Sequence, residues 1–202
     1  MIRDNREYRM VTAPEMQFRA AEDAEYIVEG YATTFNQRYE LFQIDGISYG
    51  EEIDSKALDD ADMSDVIFLY NHEGMVFARQ SNGTLMLSLN EHGLHVRADL
   101  SKTQAAREMY ESIKAGLITQ MSWAFTVAED SYDEKTHTRK ILRVRKAFDV
   151  SAVSIPANPN TDISARSYFD GVIEEERRRD LARREKVEEI RRILNGNQRN
   201  DA

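Results

Sequence analysis

Thr84-Leu85-Met86-Leu87-Ser88-Leu89-Asn90-Glu91-His92-Gly93-Leu94-His95-Val96-Arg97-Ala98-Asp99-Leu100 reads as a strand, a turn and a returning strand. The first arm alternates, the period of a pleated chain with one face buried. Glu91-His92-Gly93 supplies the turn, and Leu94 to Leu100 returns. Just upstream, Asn82-Gly83 is the strongest two-residue hairpin signal in the chain. Further back, Val76 to Gln80 and the apolar run Val66 to Tyr70 read as strands. Asp45-Gly46 marks a loop or hairpin within 36–50. Tyr26 to Phe35 is another strand, in which Gly30 suggests a bulge or a close backbone approach. Asp54 is expected to cap a short helix through Leu58 by accepting its first free amides. Short, evenly spaced, mostly antiparallel strands over Tyr26–Leu100 point to a barrel or a sandwich.

Downstream, Ser101-Lys102-Thr103-Gln104 has the form of a capping box. Ala106, Met109, Tyr110 and Ile113 follow at helical spacing and Gly116 closes the end, which predicts a helix of about four turns. That helix delivers the chain to Thr119-Gln120-Met121-Ser122-Trp123-Ala124-Phe125-Thr126-Val127, an apolar strand with a serine near its start. Glu129–Thr138 reads as a polar hairpin loop, Arg139–Lys146 as a strand of alternating basic and apolar residues, and Ala147–Ile155 as a further strand. Pro156-Ala157-Asn158-Pro159 stops it. The fold class expected is β-rich α+β, a mostly antiparallel β-barrel with a few helices around it.

Composition bounds the rest. The 202 residues suffice for one domain and an appendage. Residues 1–24 are polar and charged and read as a flexible arm, with at most a weak edge strand over Met10–Phe18. Residues 25–166 form the domain. Residues 167–202 form a charged helical tail: Glu174-Glu175-Glu176-Arg177-Arg178-Arg179 opens it, and Val187, Ile190 and Leu194 give only a thin apolar stripe. The net charge of -9 argues against nucleic acid as a partner. With no cysteine there is no disulfide, thiol nucleophile or cysteine metal site. The start Met1-Ile2-Arg3-Asp4-Asn5-Arg6-Glu7 lacks the apolar core of a signal peptide. No apolar run nears the ~20 residues that cross a bilayer. A protein of a reducing cytoplasm, without membrane or cofactor, is expected.

Three residues are candidates for chemistry. Ser122 is either a filler that bonds a nearby carbonyl or a nucleophile held on a rigid element. His72 follows an apolar strand end where the chain must turn, a common place for a catalytic side chain and equally for one that holds the turn. Asp149, in Phe148-Asp149-Val150, is costly to bury unpaired. Arg143 or Arg145 would satisfy it, and a histidine would in turn be oriented by it. Ser151 and Ser154 read as structural, and His137 as solvated in its loop. His92 and His95 are three apart, so on a strand they point to opposite faces, and no metal site is expected.

Taken together these stretches resemble the prohead protease family of tailed bacteriophages, capsid-maturation serine proteases related by fold to the herpesvirus assembly proteases. Glu29-Gly30-Tyr31-Ala32 with Phe35-Asn36 resembles the opening strand. Leu69-Tyr70-Asn71-His72-Glu73 resembles the histidine block, and Gly93-Leu94-His95-Val96 the hairpin before the helix. Met121-Ser122-Trp123-Ala124-Phe125 resembles the nucleophile block, and Asp149-Val150-Ser151-Ala152-Val153 with Pro156-Ala157-Asn158-Pro159 the acid block. The likeness covers about residues 26–165. It implies Ser122 as nucleophile, His72 as general base and Asp149 as the orienting acid, with Asp standing where many members carry Glu. It also implies a barrel bearing the triad, and an oxyanion hole for which the Trp123 amide or a water held near Arg143 are candidates. The implied function is a serine endopeptidase packaged in the procapsid within the host cytoplasm. Its substrates would be the major capsid protein, its scaffold segment and the protease itself. Self-association is expected, and the charged segment 170–202 fits either a removable tail that binds scaffold or targets the enzyme into the procapsid, or equally a helix that is merely solvated. The competing readings are a capsid-assembly scaffold protein that keeps the fold without catalysis, and an unrelated β-barrel binding module in which Ser122 and His72 are structural.

Overall fold

The computed structural model describes residues 6–10, 19–22, 24–154 and 163–197. The Pro156–Pro159 turn and most of the Met10–Phe18 edge strand lie outside them. The chain divides into two compact units, residues 1–162 and 163–202.

The first unit is β-rich. Its strands in chain order are β1 (Glu7–Met10), β2 (Arg19–Ala20), β3 (Ile27–Thr34), β4 (Tyr39–Ile44), β5 (Ile47–Ile53), β6 (Ile67–Tyr70), β7 (Glu73–Arg79), β8 (Leu85–Leu89), β9 (Gly93–Asp99), β10 (Gln120–Asp133) and β11 (Thr138–Val153). One helix, α1 (Gln104–Lys114), lies between β9 and β10. The strands make two sheets. The smaller runs β2-β3-β9-β8, and the larger runs β1-β10-β11-β5-β4 with the β6-β7 hairpin also on β11. Among the described residues neither sheet closes on itself, so the strand-rich expectation holds while the closed barrel is not formed by these ladders.

The two long strands β10 and β11 organise the larger sheet. They run as one antiparallel pair with several bulges. β11 is a single strand where two were expected, and it changes partner along its length. Thr138–Ile141 pair in parallel with β5, and Asp149–Ala152 pair in parallel with β6. Both of these parallel pairings are long-range, and no local pattern marks them.

Several turns differ from the sequence expectation for local reasons. Asn82-Gly83 does not close a hairpin: β7 and β8 belong to different sheets, and the turn carries the chain between them. The quoted stretch does form the β8–β9 hairpin, Leu85 opposite Ala98 through Leu89 opposite Leu94. The bulge on β3 falls between Tyr31 and Thr33, two residues past Gly30. The close backbone approach belongs to Gly93, where a Cβ would sit 2.0 Å from the Thr33 carbonyl oxygen. Asp54 makes a turn and not a helix, its Oδ1 accepting the Lys56 amide at 2.9 Å. Helix α1 is capped by Thr103, which accepts from the Ala106 amide, so the cap lies two residues past Ser101.

The core packs Val28, Ala32 and Phe35 of the β3 region, Leu94, Val96 and Ala98 of β9, and the Ala106/Met109/Tyr110/Ile113 face of α1. Met121, Trp123 and Phe125 of β10 join the same cluster. The odd-numbered residues at the start of β10 therefore face the core, which leaves Ser122 and Ala124 to the opposite face.

The second unit is the helix α2 (Ile163–Asn197). Val187 and Ile190 are exposed on it, and Glu175 pairs with Arg178 and Arg179 one turn on. No described helix is long and apolar enough to cross a membrane.

Candidate active site

The site lies at one end of the larger sheet, where the start of β10, the end of β11, β6 and β1 run side by side. Ser122 is opposite Ser151 on β11 and opposite Met10 on β1, and Ala124 is opposite Asp149 and Tyr8. Strand alternation puts these six residues on one face. A bulge on β11 at Phe148, between the pairs Ala124–Asp149 and Phe125–Ala147, immediately precedes the acid. Such a bulge twists the strand and re-aims the next side chain.

His72 reaches this face from the turn between β6 and β7. Tyr70 and Glu73 pair, leaving Asn71 and His72 as a two-residue loop with φ of 50° and 60°. Positive φ at both central residues is the signature of the turn whose twist matches a hairpin. It costs a non-glycine residue about 1 kcal/mol or more. The turn is held in place by Asn71, whose amide donates to the Ala152 carbonyl at 2.9 Å and whose Oδ1 accepts the Ser154 amide at 3.1 Å. Ser154 thus anchors the histidine turn to the end of β11.

The imidazole bridges the other two candidates. Its Nδ1 donates to Asp149 Oδ1 at 2.6 Å, and its Nε2 accepts from Ser122 Oγ at 2.7 Å. An ionised carboxylate only accepts, which fixes the proton on Nδ1 and leaves Nε2 free to take the serine's proton. Ser122 is 3% exposed and Asp149 4%, so these hydrogen bonds lie largely out of water, where they are stronger. Asp149 Oδ1 also accepts from Ser151 Oγ at 2.8 Å. The partner of Asp149 is therefore the histidine, not Arg143 or Arg145. Tyr8 packs edge-on to the imidazole.

The family model described as caudovirus prohead serine protease matches residues 14–172. The chain belongs to the caudovirus prohead serine protease family. No curated protein and no solved structure matches it.

In this prohead protease family member two oxyanion candidates fall away. Arg143 lies eight positions back along β11 from Ser151, opposite Glu129 with which it pairs. That is roughly 25 Å of strand. Trp123 is laddered on both sides, to Arg9 and Val150, so its amide serves the sheet. The remaining histidines are also placed differently. His137 is half-buried, within 3.0 Å of the Tyr132 hydroxyl, instead of solvated. His92 and His95 both pack on Tyr31, because His92 precedes β9 and escapes strand alternation.

Residues missed from sequence are Tyr8, Ala124 and Ser151. Ala124 carried a readable signal, since a small residue two after a candidate serine on a strand leaves room above that face. Tyr8 carried none, because its strand is four residues long and two of them are charged.

Proposed function

We propose that this chain is a prohead maturation protease, a serine endopeptidase in which Ser122, His72 and Asp149 form the catalytic triad. The observation that carries the reading is the single imidazole hydrogen-bonded to Ser122 Oγ on one side and to Asp149 Oδ1 on the other. In this reading His72 Nε2 takes the Ser122 proton as Oγ attacks a peptide carbonyl. Asp149 holds the tautomer and stabilises the imidazolium. The proton then passes to the leaving amine, and water releases the acyl-enzyme by the same route.

The substrates proposed are the major capsid protein, its scaffold segment and the protease itself, cut inside the procapsid in the host cytoplasm. Self-association, a scaffold-binding role for the removable charged tail, and kinship with the herpesvirus barrel belong to the same proposal. Membership in the prohead serine protease family is what supports them. The test is to express the wild type and Ser122→Ala with the cognate capsid protein and weigh all products by intact mass spectrometry. Wild type should trim itself and the capsid protein. The variant should leave both whole, since a triad lacking its nucleophile keeps only about 10³–10⁴ over water. Identical fragments from both would remove Ser122 from the reaction. Assembly of procapsids without any cutting would favour the scaffold reading.

A further inference from the structure

We propose that Ser151 is a positioning residue of this site, its hydroxyl fixing the Asp149 carboxylate and, through it, the His72 imidazole. The inference rests on the triad reading above. Ser151 is two residues from Asp149 on the same strand and face, and its Oγ lies 2.8 Å from Asp149 Oδ1. That oxygen is the one bound by His72 Nδ1 at 2.6 Å. A carboxylate offers no proton, so the hydroxyl is the donor.

Ser151 is 0% exposed, between Ser122 on β10 and Leu69 on β6. No bulk water can take over its hydrogen bond. Its neighbours along the strand are Val150, Ala152 and Val153, and alanine would fill the space as well. A hydroxyl buried there is unfavourable unless bonded, and its bond goes to the acid.

Two effects follow from one shared oxygen. The short aspartate side chain is held at two points, so the imidazole is held as well. The donated proton also draws charge from Oδ1, so the carboxylate stabilises the imidazolium less than it would alone. The groups around Asp149 are His72 from the turn, Ser122 and Ala124 from β10, Tyr8 and Met10 from β1, and Ile67 and Leu69 from β6. Of these only His72 and Tyr8 titrate. The exposed Glu73 follows His72 in the chain. Glu7 and Arg9 alternate with Tyr8 and take the opposite face, where they meet Glu51 and Arg139.

The experiment follows the His72 imidazole nitrogens by NMR through a pH titration in the Ser122→Ala background, which cannot digest itself. His72→Gln assigns the signal. Adding Ser151→Ala should raise the His72 pKa. Adding Ser151→Thr, which keeps the hydroxyl, should bring it back. With Ser122 restored, Ser151→Ala should lower kcat roughly tenfold, the loss of about one charged hydrogen bond, with KM unchanged. The acid limb of its pH profile should move up with the histidine. An unchanged His72 titration in Ser151→Ala overturns the proposal and makes Ser151 a filler. A shifted titration in a protein that cuts no peptide upholds the positioning and overturns the protease reading instead.

Discussion

Tyr8 of β1 stands edge-on to the His72 imidazole, with ring centroids 4.7 Å apart and planes at 70°. Its strand is the outer neighbour of β10, Met10 opposite Ser122. It also precedes the residues 14–172 that the family model matches. β1, Glu7–Met10, is thus one wall of the candidate site. An aromatic edge contact is worth about 0.5–1.5 kcal/mol, enough to hold a ring that pivots on two hydrogen bonds. Tyr8→Ala should lower kcat several-fold without unfolding the protein, since Tyr8 is 39% exposed, and Tyr8→Phe should match wild type. Deleting residues 1–10 should abolish activity. Peptide-cleavage kinetics beside a thermal melt separate these outcomes, and full activity in Tyr8→Ala would make the contact incidental.

β1 is held by charge. Arg9 is 1% exposed and Glu51 0%. Arg9 Nε donates to Glu51 Oε1 at 2.6 Å, and Arg9 also pairs with Glu7. Arg139 on β11 donates to Glu7 at 2.7 Å and also pairs with Asp130. Burial pulls the Arg139 guanidinium down, but Glu7, Glu51 and Asp130 together hold its pKa above the ordinary value. Removing one member leaves a buried charge uncompensated, which costs about 3–5 kcal/mol. Arg9→Met should therefore lower the denaturant midpoint sharply. Arg9→Met with Glu51→Leu should recover part of the loss. A double variant as unstable as the sum of its single changes would show that the two residues do not act on each other.

What was legible in the sequence followed local patterns. The β8–β9 hairpin, helix α1 and the β10 strand could be read from alternation, helical spacing and β-branched or aromatic content. Ser122, His72 and Asp149 could be named as candidates on such elements. Their meeting could not, because it depends on β11 pairing with β10 on one edge and with β6 on the other, which is non-local. β1 was hidden for another reason. A strand that buries Arg9 and half-buries Glu7 looks solvated by hydropathy, and only the partners Glu51 and Arg139, far along the chain, make its burial affordable. Ser151 read as structural because nothing in the sequence says which acceptor a buried hydroxyl finds.

Ala124 tests the room above the sheet. It is fully buried, on the face shared with Ser122, between Tyr8 and Asp149 in register. A larger side chain here would rise into the space the imidazole crosses. Valine suits a strand, so Ala124→Val should keep the fold at an overpacking cost of about 1–3 kcal/mol. It should lower kcat/KM about 10²-fold, the effect of an ångström of misplacement. Ala124→Gly keeps the space and should lose far less activity. Steady-state kinetics with circular dichroism decide the matter, and equal losses in both variants would refute the steric account.

Tyr39 gives the fold a base-side limit. Its hydroxyl donates to Glu51 Oε1 at 2.5 Å. Burial first, then the Glu51 charge, push its pKa well above the ordinary tyrosine value. In the unfolded chain the group titrates near about 10. Below that pH both states keep the proton and the contribution is constant. As pH rises past it the unfolded chain releases the proton first, so folded stability falls until the raised folded value is reached. Tyr39→Phe removes that dependence and leaves Glu51 short of one donor at every pH. At pH 8 the variant should be less stable than wild type by about 1 kcal/mol. Above pH 10 the gap should narrow as wild type loses its share. Urea denaturation at both pH values measures it, and a gap that stays constant would mean that Tyr39 titrates normally in the folded protein.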